Sequence, residues 1–148
     1  MKILVCEAGK HPVVKEIEHT LKNLQSVVGG YIQALYPYEE MVSVVCNEDG
    51  IALNLPLNRI IEGYGIIRGT FFLCGLTEED FCGLTDEQIE RYKKLFWDIQ
   101  HFIPTPDGLM PIIIRGLWFQ YSIKSEKMQE KFLKRSKPHP IRVRSACF

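Results

Sequence analysis

The spacing of apolar positions changes period several times along the chain. Residues 2–6 are a short apolar run, Gly9 and Pro12 break it, and 13–17 resume as β-branched sequence, which predicts a hairpin. Leu21, Leu24 and Val28 recur at helical spacing between Thr20, a good N-cap, and the Gly29-Gly30 stop, predicting a helix over 20–28. Aromatic and β-branched residues over 31–36 and 41–46 predict two strands. Asp49-Gly50 supplies a tight turn into a third strand at 51–54. Pro56 marks 55–59 as a loop or short helix start. The nearly continuous apolar stretch 66–74 reads as a central strand. Thr85 and Gln88 have capping-box spacing, and Ile89, Tyr92, Phe96 and Ile99 form a stripe, so a helix is expected over 85–100, ended by Pro104 and Pro106. A late strand is expected near 112–119. A short basic helix over 125–135 follows, with Met128, Phe132 and Leu133 on one side, and then a tail from Ser136.

Strands and helices mix without strict alternation, which indicates an α+β fold. The expected architecture is a mostly antiparallel twisted sheet with two main packed helices and a basic C-terminal helix or tail. The 148 residues fit one domain, with a core over about 1–104 and a basic extension over about 105–148. At 46% hydrophobic and 24% charged, the composition excludes collagen, coiled coil and low-complexity disorder. No apolar run reaches membrane-span length and no signal-peptide pattern opens the chain, so a cytoplasmic protein is expected.

Candidate chemistry is sparse. Five cysteines at wide spacings include no CxxC pair. They are expected to be reduced, with Cys46 and Cys74 buried. The four histidines lack zinc spacing. Gly63-Tyr64-Gly65 lacks both the third glycine of a dinucleotide fingerprint and the Lys-Ser/Thr of a P-loop. No catalytic residue, metal or cofactor is therefore assigned.

Charge changes the picture more. Residues 1–114 carry nine Lys+Arg against sixteen Asp+Glu, and residues 115–148 carry nine against two, so a net −7 faces a net +7. The basic C-terminal region, with Trp118, Phe119 and Tyr121, has the aromatic and cationic content of a nucleic-acid contact, without any RNA- or DNA-binding signature. Asn58 and Arg59 follow Pro56 on what reads as a stiffened loop. With Arg68 and Lys10 they are the candidate anion-binding residues, because a guanidinium fork suits phosphate or carboxylate. The competing reading is a clamp, Arg59 holding the loop to the sheet through backbone carbonyls.

The segments 27–32, 44–50, 55–59 and 69–72, with the helix start at 84–89, together resemble a small family of bacterial and phage domains of unknown function. The resemblance covers about residues 1–97 and brings no catalytic residues. It implies accessory genes of phages, plasmids and conjugative elements, and hence action against host defence inside the bacterial cell. The expected function is binding: sequestration of an anionic, nucleotide-type signal, or occlusion of a defence protein or its nucleic acid. A small enzyme acting on a nucleotide or nucleic acid is the alternative. A homo-oligomer is left open.

Overall fold

The structure, a computed structural model, describes residues 1–113. In chain order its elements are β1 (Lys2–Cys6), β2 (Val13–Glu16), α1 (Leu21–Val28), β3 (Ile32–Leu35), β4 (Val42–Asn47), β5 (Leu57–Ile61), β6 (Gly65–Arg68), β7 (Phe71–Leu76), β8 (Phe81–Cys82), α2 (Asp86–Leu95), β9 (Gln100–Thr105) and β10 (Gly108–Ile113). The main sheet runs β2-β1-β7-β4-β3, with β8 added beside β7 and every pair antiparallel. Two separate ribbons, β5–β6 and β9–β10, complete the described fold. This is the expected α+β class.

Period-two alternation divides the sheet into two apolar faces. Ile3, Val5, Val45, Phe72 and Cys74 pack with Leu24 and Val28 of α1. Leu4, Cys6, Val44, Cys46, Phe71 and Leu73 pack with Ile89, Tyr92 and Phe96 near α2 and with Ile61 and Ile67 of the β5–β6 ribbon. Phe71 and Phe72 are fully buried on opposite faces of β7, the strand between β1 and β4. A strand covered on both sides has no polar face to show, which is why its sequence reads as an unbroken apolar run.

Both helices start as expected. Thr20 Oγ1 accepts from the Asn23 amide at 3.2 Å, and Thr85 and Gln88 form a complete capping box. The two glycines after α1 have different reasons. Gly29 adopts φ +75° as the left-handed cap, whereas a Cβ on Gly30 would sit 2.8 Å from Asn47 Nδ2. Asn47 is buried and donates to the Val28 carbonyl at 3.1 Å, fastening the end of α1 to β4.

Several expectations need correction. Residues 66–74 are two strands, because Gly69 at φ +82° turns the chain from β6 into β7; only the second part is central. Residues 51–54 form turns instead of a strand. Leu53 and Asn54 amides bond back to the Asp49 and Ile51 carbonyls, and Asn47 Oδ1 accepts from the Asp49 amide to start the turn. Residues 57–61 are strand β5, not loop or helix. Leu21 is 61% exposed, so the buried stripe of α1 reduces to Leu24 and Val28. The second helix ends at Leu95, well before the prolines, and Pro104 lies in β9 opposite Leu109, where a two-stranded ribbon tolerates a missing donor. Cys6, Cys74 and Cys82 are free thiols, and Cys46 and Cys74 are buried as expected. The expected strand beyond 113, the basic helix and the tail lie outside the described residues.

Candidate functional site

The register of the β5–β6 ribbon places its unusual side chains. Leu57 faces Arg68 but Ile60 faces Ile66, so β5 carries one extra residue, a bulge at Asn58 and Arg59. In a regular strand two neighbouring side chains point to opposite faces. The bulge lets both turn inward. Both are fully buried, and Arg59 Nη1 donates to Asn58 Oδ1 at 2.8 Å.

Each then reaches backbone carbonyls from distant parts of the chain. Asn58 Nδ2 donates to Cys6 at the end of β1, 2.9 Å, and to Gly69 between β6 and β7, 2.8 Å. Arg59 donates from Nε and Nη2 to the Phe96 carbonyl at 3.2 and 3.0 Å, and from Nη2 to the Lys10 carbonyl at 2.7 Å. Burial pushes the guanidinium down from its ordinary pKa, while the charge of Asp98 acts in the opposite direction. The arrangement is the clamp reading of Arg59. A planar fork with fixed donors gathers three acceptors, of which the Phe96 carbonyl and Asn58 Oδ1 would otherwise be buried without partners.

The other two candidate residues lie differently. Lys10 brings its carbonyl to Arg59, while its ammonium stays outside and pairs with Glu7 at 2.8 Å. That contact raises the Lys10 pKa and lowers that of Glu7. Arg68 serves a different loop, donating from Nη1 to Asn54 Oδ1 at 2.9 Å and to the Leu55 carbonyl at 3.3 Å. Asn58, Arg59 and Lys10 are therefore assembled in one place, and Arg68 is bonded elsewhere.

What the clamp holds is an aromatic corner. Lys10 precedes His11 and Phe96 precedes Trp97. Tying those two carbonyls to one guanidinium sets the loop after β1 against the end of α2. His11 and Trp97 stack there, ring centroids 4.1 Å apart and planes 10° apart, and His11 Nδ1 lies 2.6 Å from the Trp97 carbonyl oxygen. Trp97 is 45% exposed and forms one wall of a depression of about 380 Å³ with Glu90, Lys93, Lys94 and Asp98. The sequence reading passed over both rings. A tryptophan three residues after Lys94 and one position past the helical apolar stripe was the available signal.

A second feature lies on the other side of α2. Glu40 accepts from Tyr92 Oη at 2.7 Å and Gln88 Nε2 at 2.9 Å, and pairs with Arg91 at 3.0 Å. The Tyr92 hydrogen bond leads in lowering the Glu40 pKa, and burial raises those of Tyr38 and Tyr92. Tyr38 packs on Tyr92 at 4.9 Å beside a wide depression of about 1050 Å³. Its walls are mainly apolar, and Glu40 is committed to tying the loop before β4 to α2. Among the described residues no group of three or more His, Cys, Asp or Glu could hold a metal ion. No helix among them is long and apolar enough to cross a membrane.

The class these observations define is an α+β domain with a single antiparallel main sheet and an arginine-fastened aromatic corner. The chain belongs to the family described as Domain of unknown function (DUF3846), which matches residues 1–97 and so ends on Trp97 itself. No curated protein and no solved structure matches it.

Proposed function

We propose that this protein is a binding protein of a phage or other mobile element that counters host antiviral defence by sequestering an anionic, ring-bearing signal of the nucleotide type. The observation that carries the reading is the His11–Trp97 stack, held by a buried arginine and edged by lysines. A flat ring beside cations is what a nucleotide needs: stacking for the base and charge for the phosphates. Lys93 and Lys94 line the depression with Trp97. Lys10 lies one residue from His11, and Asn58 and Arg59 support the corner from inside as positioning residues. The genomic setting comes from the family resemblance. Occlusion of a defence protein, or contact with its nucleic acid through the basic C-terminal region, is the same role with a different target.

The test is calorimetric titration with adenine and guanine nucleotides and cyclic dinucleotides. Saturable binding is expected, with affinity falling about 10- to 100-fold in Trp97→Ala, the value of one stacked base. Heating the complex and analysing the released compound separates sequestration from the enzymatic alternative, since a binder returns it unchanged. If no compound of the panel binds, or Trp97→Ala binds as well as the parent, the reading fails. Expression in bacteria carrying a nucleotide-signalling defence should restore phage growth, and the Trp97→Ala protein should not.

A further inference from the structure

We infer that the base selected at the aromatic corner is guanine, and that Glu90 is the residue that reads it. This selectivity rests on the reading of the corner as a nucleotide site. Helix α2 sets the geometry. Glu90, Lys93 and Lys94 stand at i, i+3 and i+4 on one helix face, and Trp97 follows at i+7. The Trp97 amide donates to the Lys94 carbonyl at 3.4 Å, which carries the turn of the helix on to the indole. All four residues line the same depression of about 380 Å³, within the size range of small-ligand sites.

The carboxylates around α2 differ in what they are engaged with. Glu40 is held by Tyr92, Gln88 and Arg91, and Asp86 pairs with Lys2 at 3.4 Å. Asp98 lines the depression too, but its charge acts on the Arg59 guanidinium. Glu90 is the carboxylate of this group with no hydrogen bond or ion pair to its side chain among the described residues, although Lys94 stands one turn further on. Its acceptor capacity is open to a ligand lying in the depression.

A carboxylate only accepts hydrogen bonds, and its two oxygens accept a parallel pair. Guanine is the common base whose pairing edge carries two neighbouring donors, N1–H and the 2-amino group. Adenine has an acceptor at N1 beside its amino group, so a lone pair would meet the carboxylate. Uracil offers one donor between two carbonyls, and cytosine an amino group beside an acceptor. His11 covers one face of the indole, ring centroids 4.1 Å apart, so a base stacks on the other. Seven residues of helix span about 10 Å, a distance that the glutamate side chain and a purine lying on the indole bridge together. Lys93 and Lys94, between Glu90 and Trp97 in the same lining, are left for the phosphates.

Calorimetric titration of the full chain with GMP, IMP and AMP tests it, because IMP keeps the N1–H of guanine and lacks the amino group. Affinity should fall in the order GMP, IMP, AMP, with GMP about ten- to a hundredfold tighter than AMP, the discrimination of one bidentate contact. Glu90→Gln, at an exposed position, removes one negative charge facing all three phosphates alike, so the readout is the ratio of affinities. The preference for GMP should disappear while the melting temperature stays unchanged. Trp97→Ala should weaken all three. Equal binding of the three nucleotides that falls in Trp97→Ala would keep the nucleotide site and overturn its selectivity for guanine. A GMP preference that survives Glu90→Gln, or a preference for AMP, overturns the role of Glu90. Binding of none of the three overturns the selectivity and the nucleotide reading together.

Discussion

Arg59 and Phe96 are joined by two hydrogen bonds to a single carbonyl oxygen, from Nε at 3.2 Å and Nη2 at 3.0 Å, across 37 positions of sequence. This contact explains where α2 stops. Phe96 is the residue after the last helical one. Its amide still bonds back to Tyr92, but its carbonyl is satisfied by Arg59. A helix C-terminus leaves carbonyls that need partners, and a cation there also suits the helix dipole. The same guanidinium fixes the loop carrying His11, so helix termination and assembly of the corner are one event.

Arg59→Ala should accordingly be among the most damaging single substitutions in the chain. It strands the buried Phe96 carbonyl and the Asn58 amide oxygen, at about 1–3 kcal/mol for each buried acceptor left without a donor, and releases the part-buried Lys10 carbonyl. A total loss of about 3–5 kcal/mol in urea unfolding is expected. Arg59→Lys should recover only part, since an ammonium cannot present the planar fork. A loss below about 1 kcal/mol would show that water replaces the guanidinium and that the clamp is dispensable.

Gly69→Ala tests the junction between β6 and β7. At φ +82° a side chain is strained, and the added Cβ would lie 2.7 Å from Leu55 Cδ1. The Gly69 carbonyl also accepts from Asn58. Destabilisation of about 1–3 kcal/mol is expected from the backbone strain alone. Gly63→Ala makes the comparison: φ is again +82° but no atom lies within 4 Å. It should cost less than Gly69→Ala, and equal losses would mean that the Leu55 contact yields without penalty.

How much of this was legible depended on the range of the cause. The β1–β2 hairpin, the Thr20 and Thr85 caps and the apolar run of β7 rest on neighbours in sequence, and each appears where the pattern put it. The end of α2 does not, because a side chain from β5 decides it. Residues 66–74 looked continuous because Ile66 and Ile67 are as buried as Phe71 and Phe72, although they belong to a different ribbon. Burial leaves the same apolar signature whichever layer a strand joins. Asn58 and Arg59 stood out by residue type. Whether they faced solvent or core turned on a one-residue bulge that no periodicity reveals.

Thiol reactivity should sort the free cysteines by depth. Burial pushes the Cys6 and Cys74 thiols up to about 12, whereas Cys82 is only partly buried. At pH 8 a thiol of that kind is ionised in roughly one molecule in ten thousand, and the thiolate is the reactive form. Brief iodoacetamide treatment of the native protein, read by peptide mass spectrometry, should therefore modify Cys82 and spare Cys6 and Cys74. Unfolding in urea should expose all three. Rapid native labelling of Cys6 would show that the sheet face beneath Arg59 opens far more readily than its packing indicates.

Acid should loosen the loop before β4 through Glu40. Its carboxylate accepts from Tyr92 and Gln88 and pairs with Arg91, and these contacts hold its folded pKa below the ordinary 4.5. A group depressed on folding contributes stability that is fully present above its unfolded value and is lost as pH falls through the folded one. The contribution is thus complete at pH 7 and begins to fade below about 4.5. Glu40→Gln keeps the shape but replaces a carboxylate acceptor with an amide, so it should destabilise at pH 7 by about 1 kcal/mol, the difference between charged and neutral hydrogen bonds. Comparing urea unfolding of the two proteins from pH 7 to pH 3 isolates the titration from every other acid, because all the others are shared. The gap should be constant down to about pH 5 and should shrink as pH falls below 4.5 toward the lowered folded value. A gap that does not narrow at all as pH falls below 4.5 would mean that the glutamine is misplaced for steric reasons, and that the charge of Glu40 contributes nothing to holding the loop on α2.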